Sequence, residues 1–218
     1  MTTTTYAADR SALLIVDPYN DFMSEGGKLY EATRETAEAV GFYDNMRKLI
    51  PAIRAARIQV IIVPHHRWRE SDYKGWKHMN PSQVWGNQIQ GFAAGTWGGE
   101  FHPEFGPRDG DVVVLEHWGQ SGFANTDLDA QFTQRGIEKI ILVGFVANTC
   151  VEGTARFDDR IQGRSHKARR IRRRDARRAR DAAAQRCIFL GAASRLGAAH
   201  ALSRILHGRI LDRAPAPA

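Results

Sequence analysis

Four short apolar runs, each cut off by a turn-forming or polar residue and set far apart, constrain the fold of this chain more than any other feature. Ala12 to Val16 (ALLIV) is continuous rather than alternating, so a strand there must be buried on both faces, and Asp17, Pro18 and Asn20 end it. Phe42, Met46, Leu49, Ile50 and Ile53 then recur at helical spacing, with Pro51 a break in the pattern. Ile58 to Val63 (IQVIIV) reads as a second strand, closed by Pro64 and the pair His65 and His66. From Arg67 to about Arg108 the chain is rich in Trp, Gly and Asn and reads as one long loop, a length typical of lids and binding surfaces. Val112 to Leu115 (VVVL) is a third strand. Thr126 is placed to cap a helix that runs through Leu128 and Phe132 and stops at Gly136. Ile140 to Val143 (IILV) is the fourth strand, ending at Gly144. Strands alternating with helices predict an α/β fold, a parallel sheet covered on both faces, and such sheets bind ligands beyond the carboxyl ends of their strands. Asp17, the pair Glu116 and His117, and Cys150 all follow such ends.

Composition narrows the class. With 43% hydrophobic and 25% charged residues among 218, the chain is ordinary globular material, not disordered, collagenous or coiled-coil. It has no apolar run of about 18 residues, and residues 1–10 lack the basic and apolar regions of a signal peptide. A cytoplasmic protein with no membrane partner is therefore expected. The net charge of +7 is unevenly placed. Residues 1–157 carry 15 Lys/Arg and 19 Asp/Glu, whereas residues 158–218 carry 16 and 5, so a mildly acidic body bears a basic tail. Cys150 and Cys187 have no CxxC partner and no His at metal-ligand spacing. A lone thiol that follows a buried strand, where a helix should begin, is open to act as a nucleophile, and because a helix N-terminus favours thiolate over thiol, Cys150 is expected to have a lowered pKa. An inert buried thiol is the plainer alternative.

The segments Leu14 to Phe22 (LIVDPYNDF), Gly95 to Glu100 (GTWGGE), Ser121 to Leu128 (SGFANTDL) and Gly144 to Thr154 (GFVANTCVEGT) resemble, in that order, the isochorismatase-like cysteine hydrolases. The resemblance covers roughly residues 10 to 157. It implies a three-layer α/β/α sandwich of Rossmann-like type and an Asp, Lys and Cys triad that opens a C–N bond or, in the founding member, an enol ether. Asp17 and Cys150 match the Asp and the Cys. The resemblance further implies a non-proline cis peptide, expected at Val146-Ala147, with the N–H groups of Ala147 and Cys150 facing the oxyanion. Phe22, Trp118 and Phe123 are the expected substrate contacts.

The third member of the triad departs from the pattern. Leu115-Glu116-His117-Trp118-Gly119-Gln120-Ser121 contains no Lys. Counting from Trp118 puts Glu116 in its place, and counting back from Ser121 puts His117 there. A second carboxylate would raise the thiol pKa, while a protonated imidazole would supply the missing cation. Both stay candidates, beside the reading in which neither faces the pocket. No metal and no organic cofactor are expected, since adjacent His65 and His66 point apart and the separated Asp-x-His-x-His arrangement is absent. Trp68, Trp76, Trp85, Trp97 and Trp118 are assigned either to a pocket or subunit contact, or to ordinary burial.

After Phe157 the family pattern stops, where the rest of a helix and two more strands should follow. The chain instead reads Arg169-Arg170-Ile171-Arg172-Arg173-Arg174, has one aromatic residue, Phe189, in its last 61, and offers only Cys187 to Leu190 (CIFL) as an apolar run, too short to replace two strands. Residues 1–157 are thus read as the hydrolase core and 158–218 as an Arg/Ala-rich segment. Either it is an authentic basic appendage, or the reading frame shifts near Phe157 in a GC-rich gene. The second reading is preferred because the segment begins inside an expected helix. The leading function is hydrolysis of a small amide through a thiolate and an acyl-enzyme. Enol ether cleavage and a catalytically impaired homologue serving as scaffold or binding protein are the alternatives, and a nucleic-acid binder driven by the tail is a third reading not preferred. A small-molecule substrate and a homo-oligomer, dimer or tetramer, are the expected partners.

Overall fold

The computed structural model describes residues 6–156 and the backbone of residues 187–191. Five strands form one parallel sheet: β1 (Ser11–Val16), β2 (Gln59–Val63), β3 (Val112–Val113), β4 (Lys139–Gly144) and β5 (Cys187–Gly191). Their order is β3-β2-β1-β4-β5. The chain builds outward from β1 through β2 to β3, then returns to the other side of β1 to place β4. That reversal opens a crevice beyond the ends of β1 and β4, where open α/β sheets hold their ligands. Register is set by the central strand, with Val16 opposite Val63 on one side and opposite Gly144 on the other.

The continuous apolar runs are buried for the reason their composition implies: β1 is covered on both faces along its whole length. Leu13 and Ile15 point into one cluster with Phe42, Met46, Leu49 and Ile53. Ala12, Leu14 and Val16 point into another with Leu128, Phe132 and Val151. The first cluster is closed by the helices α1 (Asn20–Met23), α2 (Tyr30–Ala39) and α3 (Phe42–Ala55), and the second by α5 (Leu128–Arg135) and the segment after β4. This is the three-layer α/β/α arrangement. Pro51 lies on the exposed side of α3, so the hydrogen bond it cannot make falls where water replaces it, and the helix runs through.

Several details differ from the sequence expectation. The stretch from Arg67 to Arg108 is not one loop: it holds α4 (Pro81–Ile89), begun by a reciprocal cap in which the Asn80 side chain accepts the Gln83 N–H and the Gln83 side chain accepts the Asn80 N–H. The Asn-Pro-Ser-Gln sequence there is a legible helix start. β3 is shorter than VVVL, and Leu115 is exposed. Asp127 takes the flanking position of α5 but makes no side-chain cap bond, its carboxylate accepting the Leu115 N–H instead, whereas the Thr126 hydroxyl accepts the Leu128 N–H at 3.3 Å while donating to the Gly122 carbonyl. CIFL, read as inadequate to replace two strands, supplies one strand, extending the sheet beyond β4. The division at residue 157 and the reading-frame question lie outside the described residues.

Gly144 shows how tightly the crossing point is built. Its φ is 128°, and a Cβ there would stand 2.1 Å from the Val16 carbonyl oxygen in the neighbouring strand. Gly136 also has a positive φ, 64°, but a Cβ there meets nothing within 4 Å. Gly144→Ala is therefore expected to destabilise the protein by more than about 3 kcal/mol, against about 1 kcal/mol for Gly136→Ala. Denaturant unfolding of the two variants checks this, and equal losses would refute the crowding argument.

Candidate active site

Three strand ends deliver three side chains to one point. Beyond β1, Asp17 takes a left-handed conformation with φ 54°, which Asp tolerates better than most residues, while its N–H still bonds the Val63 carbonyl at 3.0 Å. Beyond β3, pairing with the β2 side continues past the strand itself. The His117 N–H donates to the Pro64 carbonyl and the His66 N–H to the His117 carbonyl, both at 2.9 Å, which fixes the backbone of His117. Beyond β4, the chain turns through a π-helical segment, Ala147–Val151, that runs on as α-helix over residues 152–156 and carries Cys150. The Thr154 hydroxyl donates to the Cys150 carbonyl at 2.7 Å and accepts the Gly122 N–H at 2.8 Å, locking this helix to the Ser121-Gly122-Phe123 turn.

Asp17, His117 and Cys150 are buried, and one ligand-capable atom from each lies within 4.8 Å of the other two. His117 is held from both sides. Its Nδ1 faces the Gly119 carbonyl at 2.7 Å, which can only accept, so Nδ1 carries a hydrogen. Its Nε2 then faces Asp17 Oδ1 at 3.0 Å, and one proton must lie between them. Burial opposes charge on this imidazole, but the charge and hydrogen bond of Asp17, with the Gly119 carbonyl, outweigh it and leave His117 easier to protonate than an ordinary histidine. The other Asp17 oxygen, Oδ2, is buried and makes no hydrogen bond among the described residues.

The thiol differs from the expectation of a low-pKa cysteine at a helix start. Burial, then the Asp17 carboxylate beside it, push the Cys150 thiol well up, against smaller help to the thiolate from Thr149 and the Val146 N–H. The resting sulfur therefore holds its proton, with a carboxylate next to it to receive one. The cis peptide is Phe145-Val146, one bond earlier than expected. The Phe145 N–H still donates to the Val16 carbonyl at 3.2 Å, one residue past the end of β4, and the backbone turns away from the sheet at the bond that follows.

Glu116 is turned elsewhere. It accepts from the Arg67 backbone N–H at 3.0 Å and from Arg67 Nε at 2.6 Å, and it faces His66 Nδ1 at 3.2 Å. Burial raises its pKa, but the hydrogen bonds from His66 and Arg67 prevail and hold it down at about 2. The bonded form is the charged one, so its stabilising effect is complete above the ordinary value of 4.5 and is lost as the pH falls toward 2. The melting-temperature advantage of wild type over Glu116→Gln should accordingly shrink between about pH 5 and about pH 2.5. A difference that stays constant over that range would contradict the assignment.

His66 uses both ring nitrogens on carboxylates, Nδ1 on Glu116 and Nε2 on Asp72 at 2.6 Å, and stacks on Trp118 with ring centres 3.5 Å apart. His65 packs edge-on against the His117 ring at 4.9 Å, and burial followed by the His117 charge keeps it harder to protonate than usual. Trp118 is half-buried between His66 and Trp76, whereas Phe22 and Phe123 are buried in the two core clusters. Trp76, Trp85 and Trp97 are each about half exposed. Trp68 donates to the Asn87 side chain at 2.7 Å. Sequence reasoning passed over Asp21, which accepts the N–H groups of Phe92 at 2.7 Å and Lys28 at 3.1 Å, and Asn20, which donates to the Trp97 carbonyl at 2.9 Å. These two residues bind the segment after β1 to the GTWGGE segment, and an Asn-Asp pair followed by an apolar residue was the available signal. Thr154 and Gly119 were also missed, because a hydroxyl and a carbonyl that orient other groups leave no distinctive pattern.

Residues 11–158 match the family model described as the isochorismatase domain. The chain is 32% identical over 160 residues to ureidoacrylate amidohydrolase RutB of Acinetobacter baylyi, a match covering 69% of this chain and 65% of that protein. The chain thus spans about two thirds of that relative's length. A cysteine hydrolase from Pseudomonas syringae pv. phaseolicola superimposes with a TM-score of 0.62 at 23% identity, covering 95% of this chain and 98% of the other, a likeness of fold. N-carbamoylsarcosine amidase from Thermoplasma acidophilum superimposes with a TM-score of 0.52 at 26% identity, covering 86% of this chain and 99% of the other.

Proposed function

This chain belongs to the isochorismatase family, and from that premise we propose that it hydrolyses the C–N bond of a small amide with Cys150 as nucleophile. The observation that carries the proposal is the buried convergence of Asp17, His117 and Cys150 at the sheet's crevice. As the sulfur attacks the carbonyl carbon, its proton passes to the Asp17 carboxylate, so the raised thiol pKa is overcome only when a substrate is present. His117 is the cation of the site in place of the absent Lys, its Nδ1 anchored and its Nε2 on Asp17. The oxyanion is assigned to the N–H groups of Ala147 and Cys150. Asp17 returns the proton to the leaving nitrogen, which departs as ammonia or an amine. Water, deprotonated by Asp17, then splits the thioester and restores the thiol. Glu116 is given a positioning role, holding Arg67 and His66, and Trp118 a place at the mouth; Phe22 and Phe123 shape the site from the core side.

Two relatives act, by their names, on ureidoacrylate and on N-carbamoylsarcosine. Both compounds carry an N-carbamoyl group, and a small N-carbamoyl compound is the substrate class assigned here. Release of ammonia from a panel of N-carbamoyl compounds and simple primary amides, with Cys150→Ala as control, tests the assignment. No release from any of them would overturn it. A cytoplasmic homo-oligomer is part of the same proposal, and the half-exposed Trp76, Trp85 and Trp97 suit a subunit contact. No helix among the described residues is long and apolar enough to cross a membrane.

A further inference from the structure

The replacement of an ammonium by an imidazole changes what the buried cluster can hold. A protonated Lys has no lone pair to offer, so a set of Asp, Lys and Cys presents two ligands at most. Asp17, His117 and Cys150 present three: a carboxylate oxygen, an imidazole nitrogen and a sulfur, all within 4.8 Å of one another. We propose that these three residues form a binding site for a thiophilic divalent cation, zinc, and that the bound ion masks the Cys150 thiol.

Geometry supports the ligand set. Zinc takes four ligands tetrahedrally, with nitrogen and oxygen at about 2.0–2.2 Å and sulfur at about 2.3 Å, so its ligands stand roughly 3.3–3.6 Å apart. Asp17 Oδ1 and His117 Nε2 are 3.0 Å apart and need to open by only about 0.3 Å, and the sulfur needs to close by at most about 1.2 Å. His117 also has the outer contact that metal-bound histidines use. Its far nitrogen, Nδ1, donates to the Gly119 carbonyl at 2.7 Å, which directs the Nε2 lone pair into the cluster once its proton has left. Asp17 contributes a further sign. Its Oδ2 is buried without a hydrogen bond among the described residues, beside the Cys150 thiol, so this carboxylate has an oxygen to spare for the ion. Three protein ligands leave the fourth position to water. On binding, the protons on the sulfur and on Nε2 pass to solvent, and the sulfur lone pair that would attack a carbonyl is committed to the ion.

The binding claim stands on the ligands alone; only its consequence, a blocked nucleophile, rests on the amide reading. The test uses the full chain and cobalt as a spectroscopic stand-in. One equivalent of Co²⁺ should produce an intense near-ultraviolet thiolate-to-cobalt band, and one equivalent of Zn²⁺ should abolish it by displacement. Cys150→Ala should lose the band. His117→Lys keeps a cation in place but removes a ligand, and should weaken binding at least about 10- to 100-fold, since even loss of an outer partner costs that much. Circular dichroism of both variants confirms that they are folded, and His117→Gln serves if the Lys variant is not. Absence of the band in wild type, its survival in Cys150→Ala, or equal affinity in the His117 variant would each overturn the proposal. These outcomes are read without substrate, so failure to find an amide substrate leaves them standing.

Discussion

Cys150→Ala is expected to remove amide hydrolysis to below about 10⁻⁴ of the wild-type rate while leaving the protein folded. Deleting the nucleophile of a hydrolase in which several residues act as a unit costs about as much as deleting the whole set, on the order of 10⁶ in kcat, and only binding and oxyanion contributions survive. The structural loss is small by comparison. Cys150 is buried beside Val151 and Ala155, and truncating it removes one sulfur from that cluster, about 1 kcal/mol or less of packing. Thermal unfolding paired with the ammonia assay separates the two effects. A folded variant that still turns over would move the chemistry away from Cys150.

The second large effect is expected at Asp17, where Asp17→Asn should lower kcat by about 10²- to 10⁴-fold. An amide can still meet His117 Nε2 across the 3.0 Å contact, as donor or acceptor, so the fold and the imidazole position are retained. It cannot take the thiol proton or return it to the leaving nitrogen. His117 should behave differently. Loss of the imidazole in His117→Ala leaves the Asp17 charge buried without its partner, and both stability and rate should fall. His117→Lys restores a cation and should retain more activity than His117→Ala. Pre-steady-state assays on the three variants check this order, and an Asp17→Asn variant with near wild-type kcat would exclude the carboxylate as the base.

The core of the fold was legible because the sheet is buried on both faces. Runs such as ALLIV and IILV have no reason to be continuous unless helices cover each side, and the structure divides Leu13 and Ile15 from Leu14 and Val16 in that way. The ends of those runs located Asp17, His117 and Cys150, since parallel strands bring their carboxyl ends to one edge. The choice between Glu116 and His117 was beyond sequence counting. Adjacent residues at a strand end point to opposite sides, and which one faces inward follows from backbone bonds to Pro64 and His66 that link distant segments. The low-pKa expectation for Cys150 failed for a related reason: the helix start was visible, while the burial and the neighbouring carboxylate that oppose a thiolate arise only on folding. Helix α4 was overlooked because no apolar stripe marks it, although Asn80 and Gln83 form its cap.

The central claim is that the Cys150 sulfur forms a covalent bond to the substrate carbonyl during turnover. Rapid acid quench of the enzyme turning over an N-carbamoyl or primary amide substrate from the panel, followed by mass spectrometry of the peptide containing Cys150, tests it directly. An acyl or carbamoyl adduct on that cysteine, appearing before the steady state and decaying when substrate is exhausted, is the predicted result. Continued ammonia release with the Cys150 peptide unmodified at every quench time, and undiminished in Cys150→Ala, would contradict it.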